Sequence, residues 1–155
     1  MAQTYTKNVP YAVSPARAPA GSVLLMKLFL SIAAVLAWIF GAALLLAPAA
    51  FYQPTGIVLT PLLATIAQAH GATLVGLGVM NWLTRDADPA GARAVLAGNL
   101  VVQILSLGVV LRTMSLGAGA AAAPGIAIHV TLGAFFGTFL ARARRRPASP
   151  ATGHS

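Results

Sequence analysis

The 155-residue chain carries a formal net charge of +8, yet only 8% of its residues are charged and 58% are hydrophobic. An ordinary soluble domain is about 25% charged and 45–50% apolar, so this chain cannot cover a globule with polar side chains, and its length allows one domain. It contains no cysteine, which excludes disulfides, thiol catalysis, iron–sulfur clusters and cysteine-based zinc sites.

The first stretch, residues 1–25, "MAQTYTKNVPYAVSPARAPAGSVLL", holds three prolines and little periodicity. It is expected to be a disordered or interface-lying arm. Between Lys27 and Arg85 there is then no Asp, Glu, Lys or Arg. A membrane helix needs about 20 apolar residues, so the run is long enough for two helices and a connection. Pro48, Pro54 and Pro61, with Gly56 and Gln53, break helical continuity between Leu46 and Leu62. The pattern predicts a first helix over about 26–47 and a second over about 62–84. The segment "LLLAPA" resembles a signal-peptide cleavage site, but the arm before it is long and the uncharged segment exceeds the roughly 7–15 residues of a signal core, so a retained helix is expected.

The turn that follows holds the only two acidic residues, Asp86 and Asp88, set between Arg85 and Arg93. Asp88 precedes Pro89. Its carboxylate is placed to cap the free N–H groups of a third helix over about 89–113, while the proline supplies a preset φ at the first helical position and the negative charge meets the positive end of the helix dipole. Asp86 is expected to pair with Arg85 or Arg93 at the surface. Neither carboxylate has the burial that tunes a catalytic group. The glycines of "SLGAGAAAAPG" and Pro124 mark a turn before a fourth helix over about 124–142. Residues 143–155, basic and then Pro/Ser-rich, form an expected disordered tail.

Lys7, Arg17, Lys27, Arg85, Arg93, Arg142, Arg144, Arg145 and Arg146 fall on one face of an up-down four-helix chain, and of the 10 bases only Arg112 falls on the other. The bias of Lys and Arg toward cytoplasmic loops therefore predicts that both termini are cytoplasmic, and Arg112 can snorkel to the opposite interface. Bases at the ends of apolar segments, without interleaved aromatics, point to the bilayer and to anionic lipid on the cytoplasmic face and away from nucleic acid. Trp82 suits an interfacial anchor on one side, with Phe51 and Tyr52 on the other. Small residues four apart mark contact faces in lipid: Ala33, Ala37 and Gly41 on helix 1, Ala72 and Gly76 on helix 2 with Gly71 and Gly78 nearby, and Gly133, Gly137 and Ala141 on helix 4.

Polar groups within the spans are costly, which singles out Gln68, His70, Asn81, Asn99, Gln103 and His129. His70 and Asn81 nearly eclipse on helix 2; Asn99, Gln103 and Ser106 form one stripe on helix 3; His129 lies on the small-residue stripe of helix 4. At 1.5 Å per residue, His70 lies roughly 12 Å, Gln103 about 15 Å and His129 about 8 Å below the outer helix ends. All three stripes can face one interior, where they would form interhelical hydrogen bonds, a bis-histidine haem b site on His70 and His129, or a site for a quinone, lipid or small solute. Two histidines without a nearby carboxylate supply too few ligands for zinc. No phosphate loop, Ser–His–Asp set or H-E-x-x-H motif occurs, and no carboxylate within a span supports ion pumping.

The stretch "HGATLVGLGVMNWLTRDADPAGARAVLAGN", residues 70–99, resembles the second and third helices of small, uncharacterised four-helix bacterial membrane proteins, in which a Gly-rich helix ends in Trp and Arg and an arginine-bearing helix follows. The resemblance implies a multi-pass architecture in the bacterial inner membrane and no particular reaction. The leading expectation is an all-α transmembrane bundle without enzymatic activity, a structural or accessory part of a membrane assembly, as a homo-oligomer or with other membrane subunits. The alternatives are a haem b or quinone-binding electron carrier on His70 and His129, and a small-solute transporter with a polar path beside Gln68, Asn99 and Gln103.

Overall fold

Prolines and short polar caps decide where the helices begin. The computed structural model describes residues 20–115 and 123–144, and all regular structure among them is helical: α1 (Ala20–Leu46), a short α2 (Pro48–Tyr52) continued by a single 3-10 turn at Gln53–Thr55, α3 (Pro61–Thr84), α4 (Pro89–Thr113) and α5 (Ala123–Arg144). Pro48, Pro61 and Pro89 stand in the first turns of α2, α3 and α4, where a missing N–H costs nothing. Thr60 Oγ1 caps α3 by accepting from the Leu63 N–H at 3.3 Å. Asp88 Oδ1 caps α4, accepting from Ala90 at 2.7 Å and Gly91 at 2.9 Å. Gly56, with φ of 73°, closes the 3-10 turn in the left-handed region, a conformation glycine adopts without steric cost.

The boundaries depart from the sequence pattern in three places. Helix α1 starts at Ala20 and so takes in residues 20–25 of the expected arm, because no proline stands between Ala20 and Leu46 and Lys27, two turns in, finds a partner in Asp86. The expected break after Leu46 is partly helical, since Pro48 ends one helix and opens the next. Helix α5 runs to Arg144, with Arg142 and Arg144 in its last turn, where positive charge suits the negative end of the dipole. The expected N-terminal arm over residues 1–19 and the tail from residue 145 lie outside the described residues.

Four of the helices, over Gly21–Leu46, Pro61–Thr84, Pro89–Thr113 and Ala123–Arg144, are long and apolar enough to cross a membrane. They pack mainly as two pairs, α1 along α3 and α4 along α5. In the first pair Gly41 meets Gly71 and Ala34 meets Gly78, so the two helices run antiparallel. A Cβ on Gly71 would lie 2.7 Å from the Gly41 carbonyl oxygen, which means the backbones themselves touch. Of the small residues expected to mark a contact on this helix, within the chain or between copies, Gly71 and Gly78 make the contact within the chain and Ala72 and Gly76 do not. The latter two are exposed and a Cβ on Gly76 would meet no neighbouring group within 4 Å, because α1 covers the neighbouring stripe of Ala67, Gly71 and Gly78. In the second pair Gly125 lies against Val110, Gly133 against Gln103 and Gly137 against Leu100, again antiparallel.

The pairs join near the end of the molecule that holds the Arg85–Asp88 turn. Phe29, Leu30 and Ala33 of α1 form a core there with Leu96 of α4 and Phe136, Phe139 and Leu140 of α5. The Phe29 ring sits 4.8 Å from Phe136, 5.2 Å from Phe139 and 5.3 Å from Phe135, contacts worth about 0.5–1.5 kcal/mol each beyond the buried area. Elsewhere large apolar side chains point outward. Leu24, Leu28, Ile32, Val35 and Ile39 on α1 and Val101, Ile104, Leu105 and Val109 on α4 are all exposed.

Candidate functional site

Asn81, Asn99, Gln103 and His129 form an interior ladder, and Lys27, Ser31, Arg85 and Asp86 an ionic corner. The first rung joins α3 to α4. Asn81 Nδ2 donates to Asn99 Oδ1 at 3.3 Å, Asn99 Nδ2 donates to Asn81 Oδ1 at 2.9 Å, and Asn99 Nδ2 also reaches the Val95 carbonyl at 2.9 Å. With 1% and 2% of their surfaces exposed, these amides depend on each other, since an unpaired buried amide is costly. One helical turn along α4, buried Gln103 joins α4 to α5 through a 2.8 Å contact between its Oε1 and Nδ1 of half-buried His129. When Nδ1 carries the proton and donates to Gln103, Nε2 presents a lone pair. The ring is thereby oriented in the way that partners of ligating histidines orient them.

Gln68 and His70 do not join this ladder. Gln68 Nε2 donates to the Leu45 carbonyl at 3.2 Å, serving one of the carbonyls that the end of α1 leaves without a partner, so it belongs to the α1–α3 seam. His70 is exposed on α3. The expectation that all three stripes face one interior is corrected on this point. His70 and Asn81 share a face of α3, yet only Asn81, bonded to Asn99 of α4, is covered. Among the described residues no group of three His, Asp or Glu side chains is placed to hold a metal ion.

The ionic corner lies where the start of α1 meets the end of α3. Lys27 Nζ stands 2.7 Å from Asp86 Oδ1, so the expected pairing of Asp86 with Arg85 or Arg93 gives way to a partner 59 residues distant. The reason is tertiary: α1 and α3 pack antiparallel and bring Lys27 over the turn, while Arg85 is engaged elsewhere. Its Nε donates to the Trp82 carbonyl at 2.8 Å, its Nη1 reaches Ser31 Oγ at 3.4 Å, and its guanidinium lies 3.3 Å above the Trp82 ring, a cation–π contact. Trp82 in turn packs on Trp38 at 5.5 Å. Ser31, which no sequence motif marks, donates to the Lys27 carbonyl at 2.9 Å. Leu24, Lys27, Leu28, Ser31, Arg85 and Asp86 line an open pocket of about 310 Å³. The Lys27 hydrogen bond and charge hold the Asp86 carboxyl below its ordinary pKa. The Gly91 and Ala90 amides, followed by the charge of Arg93, do the same for Asp88.

Comparison with protein-family models, with curated proteins and with solved structures found no match in any of the three.

Proposed function

We propose that the chain is a non-enzymatic integral protein of the bacterial inner membrane, a structural or accessory component of a membrane assembly, crossing four times in up-down order with both termini cytoplasmic. The observation that carries this reading is the division of its side chains. Long apolar residues cover the outside, while Asn81, Asn99 and Gln103 are engaged in bonds between helices. In hydrocarbon, where apolar side chains gain nothing by leaving lipid for each other, such bonds and close backbone contacts hold helices together. The orientation follows from the Lys and Arg distribution. Crosslinking in native membranes, followed by electrophoresis, tests the assembly: the account expects the chain in a product larger than itself, and an exclusively monomeric chain under efficient crosslinking contradicts it.

One observation favours a second reading, a haem b or quinone site. The Gln103–His129 contact leaves Nε2 as the free end of the ring. His129 and His70 are the residues that would hold the haem iron, which would supply one-electron transfer. Protein purified from native membranes would then show a Soret band lost in both His70→Ala and His129→Ala. The leading reading expects no such band.

A further inference from the structure

We propose that the pocket between the start of α1 and the end of α3 seats the headgroup of an anionic phospholipid, its phosphate held by Lys27 and Arg85 and its acyl chains laid along the apolar flank of α1. The proposal rests on the reading that these helices cross a membrane.

The pocket's chemistry is that of an amphiphile. Two cations and the Ser31 hydroxyl sit beside Leu24 and Leu28, and basic pockets between helices on the cytoplasmic side are where anionic headgroups bind. Arg85 is placed in advance. The Trp82 carbonyl and Ser31 engage two of its N–H groups, and the indole lies beneath it, so a guanidinium with five donors keeps others for a phosphate with little ordering left to do. The one anion in the pocket is Asp86, whose side chain is 68% exposed and whose partner Lys27 is 44% exposed. An ion pair so open to water yields readily to a doubly contacted phosphate.

The apolar surface continues where the charges stop. Leu24, Leu28, Ile32, Val35 and Ile39 are exposed and fall within one sector of α1 about 80° wide. Leu24 lies on the water side of Lys27, and past Lys27 the stripe runs about 16 Å from Leu28 to Ile39, close to the roughly 15 Å half-thickness of a hydrocarbon core. A free phosphate would use Lys27 and Arg85 and leave the stripe idle. A lipid uses both.

The two tryptophans, one of them beneath Arg85, report on neighbouring lipid. The full chain is reconstituted in phosphatidylcholine vesicles holding a minor share of phosphatidylglycerol, with bromine on the chains of one lipid or the other. Brominated phosphatidylglycerol should quench beyond its share of the bilayer. Lys27→Gln and Arg85→Gln should each reduce that excess about fivefold, as loss of one interfacial charge implies, while Arg142→Gln with Arg144→Gln leaves it in place. Asp86→Asn, which spares both cations, should raise it severalfold. No excess in the unaltered chain, an excess that survives Lys27→Gln with Arg85→Gln, an equal fall in the Arg142/Arg144 variant, or no response to Asp86→Asn overturns the site. Saturable binding of inorganic phosphate that is lost in Lys27→Gln with Arg85→Gln, without any excess quenching by brominated phosphatidylglycerol, assigns the pocket to free phosphate and overturns the lipid claim. Absence of quenching by brominated phosphatidylcholine as well would instead overturn the membrane reading on which the site rests.

Discussion

Asn81 and Asn99 each complete the other's hydrogen bonding, so their energies should not add. Replacing either one by Ala strands a buried amide, whereas replacing both removes the need. A double-mutant cycle in detergent unfolding is expected to return a coupling of about 0.6–2 kcal/mol; independent effects would show that the rung does not join the helices. The two carboxylates give a pH signature. Asp86 and Asp88 have pKa values lowered in the folded chain from the ordinary 3.8. Their contribution is therefore fully present above that value and is lost as pH falls through the lower folded values. Stability should decline below about 3.8, and the decline should be smaller in Asp86→Asn and Asp88→Asn; an unchanged acid profile in both variants contradicts the assignment. Asp88 was legible in the sequence because capping is local: an aspartate directly before a helix-opening proline has its partners within three residues. The Lys27–Asp86 pair was not, since its members meet only through the packing of α1 on α3.

At the scale of the element, the glycines of α3 separate what spacing can reveal from what it cannot. Small residues recur four apart in two registers, Ala67/Gly71 and Ala72/Gly76, and periodicity alone gives no ground for choosing between them. The choice is made by Gly41 and Leu44 of α1, which reach Gly71 and leave Gly76 open. Gly71→Leu is accordingly expected to destabilise the α1–α3 pair by about 1–3 kcal/mol or more, the cost of overpacking a closed contact, with Gly76→Leu near neutral in the same unfolding assay. Equal effects, or the reverse order, would place the helix contact elsewhere. His70 illustrates the same limit. Its register with Asn81 was readable from the sequence, but whether a neighbouring helix covers that register along its whole length depends on tertiary packing, and His70 is left exposed.

At the scale of the molecule, the four long helices and the prolines between them were written in the sequence as runs without charge, because length and apolarity are properties of a segment by itself. The pairing of α1 with α3 and of α4 with α5 was not, nor was the concentration of the aromatic core at one end. Those depend on which small residues find each other. The orientation proposed here follows from charge, and the absence of cysteine from the sequence allows it to be read one residue at a time. Single-cysteine variants at Val58, Ile39 and Ala87, all exposed positions, sample the connection after α2, the apolar flank of α1 and the acidic turn. In intact bacterial cells with the outer membrane made permeable, a maleimide that cannot cross the inner membrane should label Val58→Cys, label Ala87→Cys only after the inner membrane is opened, and leave Ile39→Cys unmodified throughout. Labelling of Ala87→Cys in intact cells, or ready labelling of Ile39→Cys, would contradict the claim that hydrocarbon surrounds these helices with the acidic turn facing the cytoplasm.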